Sequence, residues 1–211
     1  MYDTAIFDLD GTLLNTIDDL TSSVNYSLAA FGFPSHTSGE IRSYIGHGIS
    51  DLIRKSLPES HGEKDYKNVY TLFKEYYPKH AADETVPYPG IISLLTSLKE
   101  HGIKTAIVSN KNDYSVNILS KHFFDGLIDI SVGERTGIRK KPDPSSVYEV
   151  MERLDCKTPL YIGDSVVDIE TAENASIDCC LVTWGFGIGI EKLSCKYTVD
   201  TAEELRILFH I

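Results

Sequence analysis

Apolar and polar positions along this chain follow two different periods. Residues 5–9 (Ala5, Ile6, Phe7, Asp8, Leu9) form a short, mostly apolar run that stops abruptly on acid and glycine, as a buried strand does. From Ile17 the period changes. Ile17, Leu20, Val24, Leu28 and Phe31 recur at helical spacing and are closed by Gly32 and Pro34. A second helical stretch begins near Ser38, breaks at Gly46-His47-Gly48 and resumes through Leu52, Ile53 and Leu57 to Pro58. A third, over 66–77, carries Val69, Tyr70, Phe73 and Tyr77 on one side and is predicted to stop before Pro78. Residues 16–84 thus read as helical with no strand among them, and Val86-Pro87-Tyr88-Pro89-Gly90 follows as a stiff, turn-rich joint.

Beyond that joint the two periods alternate. Helix 91–100 leads to strand 104–109, and helix 114–121 to a short strand near 127–132. Helix 145–154 leads to strand 160–163, and helix 166–175 to strand 179–183. A last short strand near 197–199 precedes a helix over 202–209. Such alternation predicts an α/β domain, a Rossmann-like parallel sheet covered by helices on both faces. The helical block is then an insertion placed directly after strand one. Residues 1–15 and 86–211 make the α/β domain, and 16–85 the inserted all-helical domain.

Composition narrows the setting. The chain has 211 residues, enough for one large domain or a domain plus an insert, and its 42% hydrophobic and 24% charged content is that of a globular protein in water. No apolar run approaches a membrane span, and strand one is entered almost at once, leaving no room for a signal peptide. Cys156, Cys179, Cys180 and Cys195 lack paired Cys-x-x-Cys spacing and are expected as reduced thiols in a cytoplasmic protein. A net charge of -11 argues against nucleic acid or an anionic membrane as partner. It also makes any anionic substrate depend on locally placed cations. A monomer and a homodimer both remain open.

The chemistry gathers where strands end. Side chains two apart on a strand share a side, so Asp8 and Asp10 tend to project together while Leu9 turns away and Gly11 lets the backbone turn. Two carboxylates at the end of a buried strand repel, and burial raises the cost of their charge. A hard, oxygen-seeking cation resolves the conflict, and Mg²⁺, which commonly sits beside phosphates, is the natural choice. Strand 104–109 ends in Ser109-Asn110, and strand 160–163 leads into Gly163-Asp164-Ser165, with Asp168 in the first turn of the next helix. In Arg139-Lys140-Lys141-Pro142-Asp143-Pro144, Pro142 keeps Lys141 out of a helix, while Asp143 can cap and Pro144 can begin the next one. Each piece alone has an ordinary explanation: a helix opening, a strand stop, a solvated basic loop. Together, in chain order, they fit a phosphate and its metal at the carboxyl ends of a parallel sheet.

These residues resemble the four motifs of the haloacid dehalogenase-like phosphohydrolase superfamily: Asp8-Leu9-Asp10-Gly11-Thr12, Ser109-Asn110, Lys141 within Lys-Pro-Asp-Pro, and Gly163-Asp164-Ser165-Val166-Val167-Asp168. The helical insert is similar to the small cap of the subgroup containing phosphoglycolate phosphatases. The resemblance implies that Asp8 attacks phosphorus to form an aspartyl-phosphate and that Asp10 is the acid and base. Mg²⁺ is implied at the Asp8 carboxylate, the Asp10 backbone carbonyl and Asp164, with Asp168 adjacent directly or through water. Ser109, the Asn110 backbone and Lys141 are implied as the cradle of the transferring phosphoryl group, with Gly11 and Thr12 supporting the loop and Asp10. A cap is expected to close over the site and choose the leaving group. His47 could reach that group, and Arg42 and Arg54 could meet a substrate carboxylate, though solvation and salt bridging are the plainer roles. Thr183-Trp184-Gly185 resembles a segment common in phosphoglycolate phosphatase-like members, with a Trp packed under the site as the plainer role. The expected activity is Mg²⁺-dependent hydrolysis of a small phosphomonoester, with 2-phosphoglycolate the best single guess. Pyrophosphate, nucleotide 5′-monophosphates and a β-phosphoglucomutase-like mutase are the alternatives.

Overall fold

The computed structural model describes residues 1–187 and 195–211. Two compact units emerge: Met1–Leu14 with Pro87–Ile211, and Asn15–Val86. At the two crossings of that boundary the chain forms a separate two-stranded sheet from β2 (Leu14–Asn15) and β3 (Val86–Pro87).

The larger unit carries the expected α/β architecture. Its strands are β1 (Thr4–Phe7), β4 (Lys104–Asn112), β5 (Ile130–Glu134), β6 (Pro159–Gly163), β7 (Asp178–Val182) and β8 (Tyr197–Val199). They lie parallel in the order β5-β4-β1-β6-β7-β8. The chain builds outward from β1 through β4 to β5, then crosses back to β6 on the other side of β1. Strand order therefore reverses at β1, the place where open α/β sheets take their ligands. Phe7 stands in register with Ile107 on one side and Ile162 on the other, so three strand ends open onto the same edge. The helices are α5 (Ile91–Glu100), α6 (Asp113–Phe124), α7 (Ser145–Arg153), α8 (Val166–Ala175) and α9 (Ala202–Phe209). Every residue of β1 is buried, as a strand covered on both faces requires. Ile6 joins Ala106, Val108, Val132, Tyr161, Ile169 and Leu181 in one apolar cluster.

Several strand boundaries differ from the sequence reading, three of them by two residues or more. β1 stops at Phe7 rather than Leu9, although the Asp8 N–H still donates to the Ile162 carbonyl at 2.9 Å. β4 runs on past Ser109 to Asn112, with its pairing to β5 irregular between Val108 and Asn112. β5 begins at Ile130 because the preceding residues serve Thr105: its hydroxyl donates to the Leu127 carbonyl, and its carbonyl accepts from the Asp129 N–H.

The smaller unit is helical: α1 (Ile17–Ala29), α2 (Ser38–Tyr44), α3 (Ile49–Ser56) and α4 (Glu63–His80). Gly46 and Gly48, both at positive φ, make the break between α2 and α3. α4 does not stop before Pro78 but carries it in its last turn. There a proline removes one hydrogen bond close to the helix end, while Phe73 and Tyr77, both buried, hold the stripe in place. Tyr26 of α1 stacks on Tyr76 of α4 at 3.9 Å between ring centroids. The buried Asp19 carboxylate accepts from the backbone N–H groups of Glu84 and Thr85 and from the Thr85 hydroxyl, tying the start of α1 to the end of the unit. Among the described residues, no helix is long and apolar enough to cross a membrane, and the four cysteines are free thiols.

Candidate active site

The site lies wholly within the larger unit, at the carboxyl edge of β4, β1 and β6. Asp8 follows the last residue of β1, where one side-chain oxygen accepts from the Leu9 N–H at 2.7 Å. Gly11, at φ +86°, turns the chain directly beneath Asp164. A Cβ at Gly11 would collide with the Asp164 carboxylate. This is the physical reason for glycine after the acidic pair.

Lys141 is almost fully buried, and its ammonium bridges Asp8 at 3.0 Å and Asp168 at 2.7 Å. Burial works against that charge, but Asp168 and Asp8 outweigh it and hold the lysine well above its ordinary pKa. Asn110 fixes the lysine from behind. Its side-chain amide donates to the Lys141 carbonyl at 3.0 Å and its amide oxygen accepts from the Lys141 N–H at 2.8 Å. Ser109, also buried, accepts from the Lys111 N–H at 3.3 Å. The following helix α7 starts one residue after Pro144, and Asp143 accepts from the Ser145 N–H at 3.0 Å.

Asp164 and Asp168 differ in what surrounds them. Asp168 is fully engaged: one oxygen takes Lys141 at 2.7 Å and the Tyr161 hydroxyl at 3.4 Å. The other takes the N–H groups of Asp164 and Ser165 and the Ser165 hydroxyl. Asp164 accepts from the N–H groups of Phe186 (2.7 Å) and Gly187 (3.1 Å) and from the Thr12 hydroxyl (3.1 Å). Burial first, then repulsion from Asp168 and Asp8, pushes its carboxyl up to about 8. Asp8 is pushed up to about 6, by burial and by Asp168 and Asp10 against the opposing pull of Lys141. Oxygens of Asp8, Asp164 and Asp168 lie within 4.8 Å of one another. Three crowded carboxylates, two of them reluctant to ionise, form an all-oxygen donor set that a hard divalent cation fits.

The sequence-derived residues Asp8, Asp10, Thr12, Ser109, Asn110, Lys141, Asp164 and Asp168 are therefore neighbours at one sheet edge. Thr12 reaches Asp164, whereas the sequence reading attached it to Asp10. His47, Arg42 and Arg54 belong to the smaller unit. There His47 lies in the turn between α2 and α3, and Arg54 pairs with Glu63 at 3.0 Å and covers the Tyr66 ring.

Two side-chain contacts escaped the sequence reading, and the segment after β7, singled out there for Thr183-Trp184-Gly185, does more than was expected of it. The Lys111 ammonium grips both oxygens of Asp10, at 2.8 and 3.0 Å. The sequence pattern ends the strand at Ser109, whereas β4 runs on through Lys111 with irregular pairing. The segment after β7 supplies the backbone donors to Asp164, and backbone groups have no sequence signature. In that segment Trp184 donates its indole N–H to the Thr12 carbonyl at 3.1 Å. Gly185 packs so closely that a Cβ would meet both Asp164 and the Gly11 carbonyl. Finally, Tyr161 is a buried hydroxyl bridging Asp168 and the Val108 carbonyl at 3.2 Å.

The model of the haloacid dehalogenase-like hydrolase family matches residues 5–182. The phosphoglycolate phosphatase 1 of Pseudomonas aeruginosa is 33% identical over 95% of this chain and 77% of its own length. The phosphoglycolate phosphatase of Aquifex aeolicus is 34% identical over 86% of this chain and 84% of its own. The solved structure of a candidate phosphoglycolate phosphatase from Lactobacillus delbrueckii subsp. bulgaricus superposes with a TM-score of 0.92 at 34% identity, covering 98% of each chain. This chain belongs to the haloacid dehalogenase-like hydrolase family. Within that family it is a phosphatase, an enzyme acting on small phosphorylated substrates.

Proposed function

We propose that this protein hydrolyses 2-phosphoglycolate, with Mg²⁺ as cofactor, through a phosphorylated Asp8. The observation that carries the reading is the pairing of Asp8 with a buried lysine that Asp168 and Asp8 keep charged, beside a second crowded carboxylate, Asp164. The relatives named as phosphoglycolate phosphatases supply the substrate. In the proposed chemistry Asp8 attacks phosphorus as the ester bond breaks, and Asp10 gives a proton to the leaving oxygen. Asp10 then takes a proton from the water that attacks the aspartyl-phosphate. Lys141, oriented by Asn110, and Ser109 bind the oxygens of the transferring group. Asp8, the Asp10 backbone carbonyl and Asp164 would hold the metal, with Asp168 beside it directly or through water while also pairing with Lys141. Mg²⁺ held there would supply positive charge between the anionic nucleophile and the anionic phosphate.

The smaller helical unit is proposed as a cap, with His47 a residue it could bring toward the leaving group. Further parts of the reading are that the protein works in the cytoplasm, as a monomer or homodimer, without nucleic-acid or membrane partners. The test is phosphate release from 2-phosphoglycolate, pyrophosphate and nucleotide 5′-monophosphates with Mg²⁺, comparing kcat/KM. 2-Phosphoglycolate should lead, and Asp8→Asn should abolish turnover of every substrate while leaving the circular dichroism spectrum unchanged. Substantial activity in Asp8→Asn would exclude the nucleophile; a different leading substrate would overturn only the substrate.

A further inference from the structure

Two buried ammonium groups divide the site. Lys141 sits on Asp8, the proposed point of attack on phosphorus, and therefore belongs to the transferring phosphoryl group. Lys111 sits on both oxygens of Asp10, the residue proposed to meet the leaving oxygen, and therefore lies on the leaving-group side. The extension of β4 beyond Ser109, through the irregular stretch before Asn112, carries Lys111 to Asp10. The side chains of this pair are only 3% and 13% exposed. A buried ammonium is costly unless something anionic faces it, and in the free protein Asp10 meets that need.

The same contact obstructs the work given to Asp10. The lysine bridges both carboxylate oxygens and so fixes how Asp10 is turned, leaving only their outer lone pairs for another partner. Hydrolysis needs that ion pair to open, and Lys111 needs another anion when it does. A leaving alcohol that carries its own carboxylate, one methylene from the ester oxygen, supplies an anion at that place. The long unbranched stem of lysine allows the ammonium to turn from one carboxylate to the other.

We propose that Lys111 is the specificity-determining residue for the leaving group. It exchanges its bond to Asp10 for a bond to a carboxylate on the substrate, and so frees Asp10 to face the leaving oxygen. This rests on the phosphatase reading above and deepens it: the favoured substrates are phosphomonoesters whose alcohol carries an adjacent carboxylate.

The experiment compares 2-phosphoglycolate with ethyl phosphate, which has the same ester linkage without the carboxylate, in the wild type, Lys111→Met and Lys111→Gln, all with Mg²⁺. The wild type should favour 2-phosphoglycolate. Both substitutions should lower the ratio of the two kcat/KM values by about 10- to 100-fold, the size expected for a lost charge-assisted hydrogen bond. The larger share should appear as a raised KM for 2-phosphoglycolate. Lys111→Gln can still hydrogen-bond Asp10, so it carries the test if Lys111→Met does not fold. An equal fall for both esters would make Lys111 only a support for Asp10 and overturn the proposal, as would an unchanged ratio. A wild type that prefers ethyl phosphate would overturn it too, while leaving the phosphatase reading intact. Hydrolysis of neither ester would end both.

Discussion

Asn110 shows how far a single side chain can act from the chemistry it serves. Its amide makes both main-chain hydrogen bonds available at Lys141, and Lys141 in turn bridges Asp8 and Asp168. Asn110→Ala should lower stability by about 1–3 kcal/mol, the cost of leaving a buried N–H and carbonyl without partners. It should also lower kcat/KM by roughly 10-fold or more, because small misplacements in a phosphoryl-transfer site are costly. Urea unfolding and initial rates check the two parts separately, and Lys140→Ala on the exposed neighbouring residue should change stability by no more than about 0.5 kcal/mol. At this scale the acids and Lys141 were legible, because residue type and place beside a strand end, a helix start or a proline-bounded loop already restrict what they can do. The clamp from Asn110 and the grip of Lys111 on Asp10 were not. Each joins residues far apart in sequence, and nothing local to either partner signals the other.

Among the elements, three helices have their predicted limits, while α4, α6 and the strands at the site overrun or fall short of theirs. α5, α8 and α9 have the limits predicted for them, since their apolar spacing and flanking turn residues act within a few positions. β1 and β4 missed theirs because a strand ends where its neighbours stop pairing, which is a property of the sheet. The segment after β7 carries the sharpest test at this scale. Gly185→Ala should push that segment off Asp164, since the added Cβ has no room against Asp164 or the Gly11 carbonyl. We expect a loss of about 1–3 kcal/mol, as for an overpacked core position, together with most of the activity. Denaturant unfolding and phosphate release would measure it, and a variant with wild-type stability and rate would show that the segment yields at no cost.

For the molecule as a whole, the concentration of negative charge at one sheet edge sets how stability depends on pH. Asp164 rises from an ordinary 3.8 to about 8 and Asp8 from 3.8 to about 6 on folding. The folded protein keeps these protons longer than the unfolded chain. The stability they contribute is complete below pH 3.8 and is lost as pH rises through about 6 and then about 8. Metal-free protein should therefore gain from Asp164→Asn, with Tm higher than wild type by roughly 5 °C at pH 8 and by much less at pH 5. Added Mg²⁺ should raise the wild-type Tm at pH 8 and leave the variant nearly unchanged, because binding to the folded state alone stabilises it. Thermal scans with chelator and with Mg²⁺ measure both, and a variant less stable than wild type in chelator would contradict the repulsion.

The sequence by itself determined the parallel α/β sheet, the helical block between strand one and the rest, the family, and that Asp8, Asp10 and Asp164 follow strand ends while Lys141 lies in the loop before α7. All of these follow from local periodicity and from chemistry carried by neighbouring residues. Only the tertiary structure decided that Asn110 holds Lys141, that backbone donors from the segment after β7 hold Asp164, and that Asp10 has a second lysine on it. Those contacts span from 22 to 101 positions of sequence. They exist because parallel strands that are distant in the chain end side by side, and proximity of that kind is a consequence of packing.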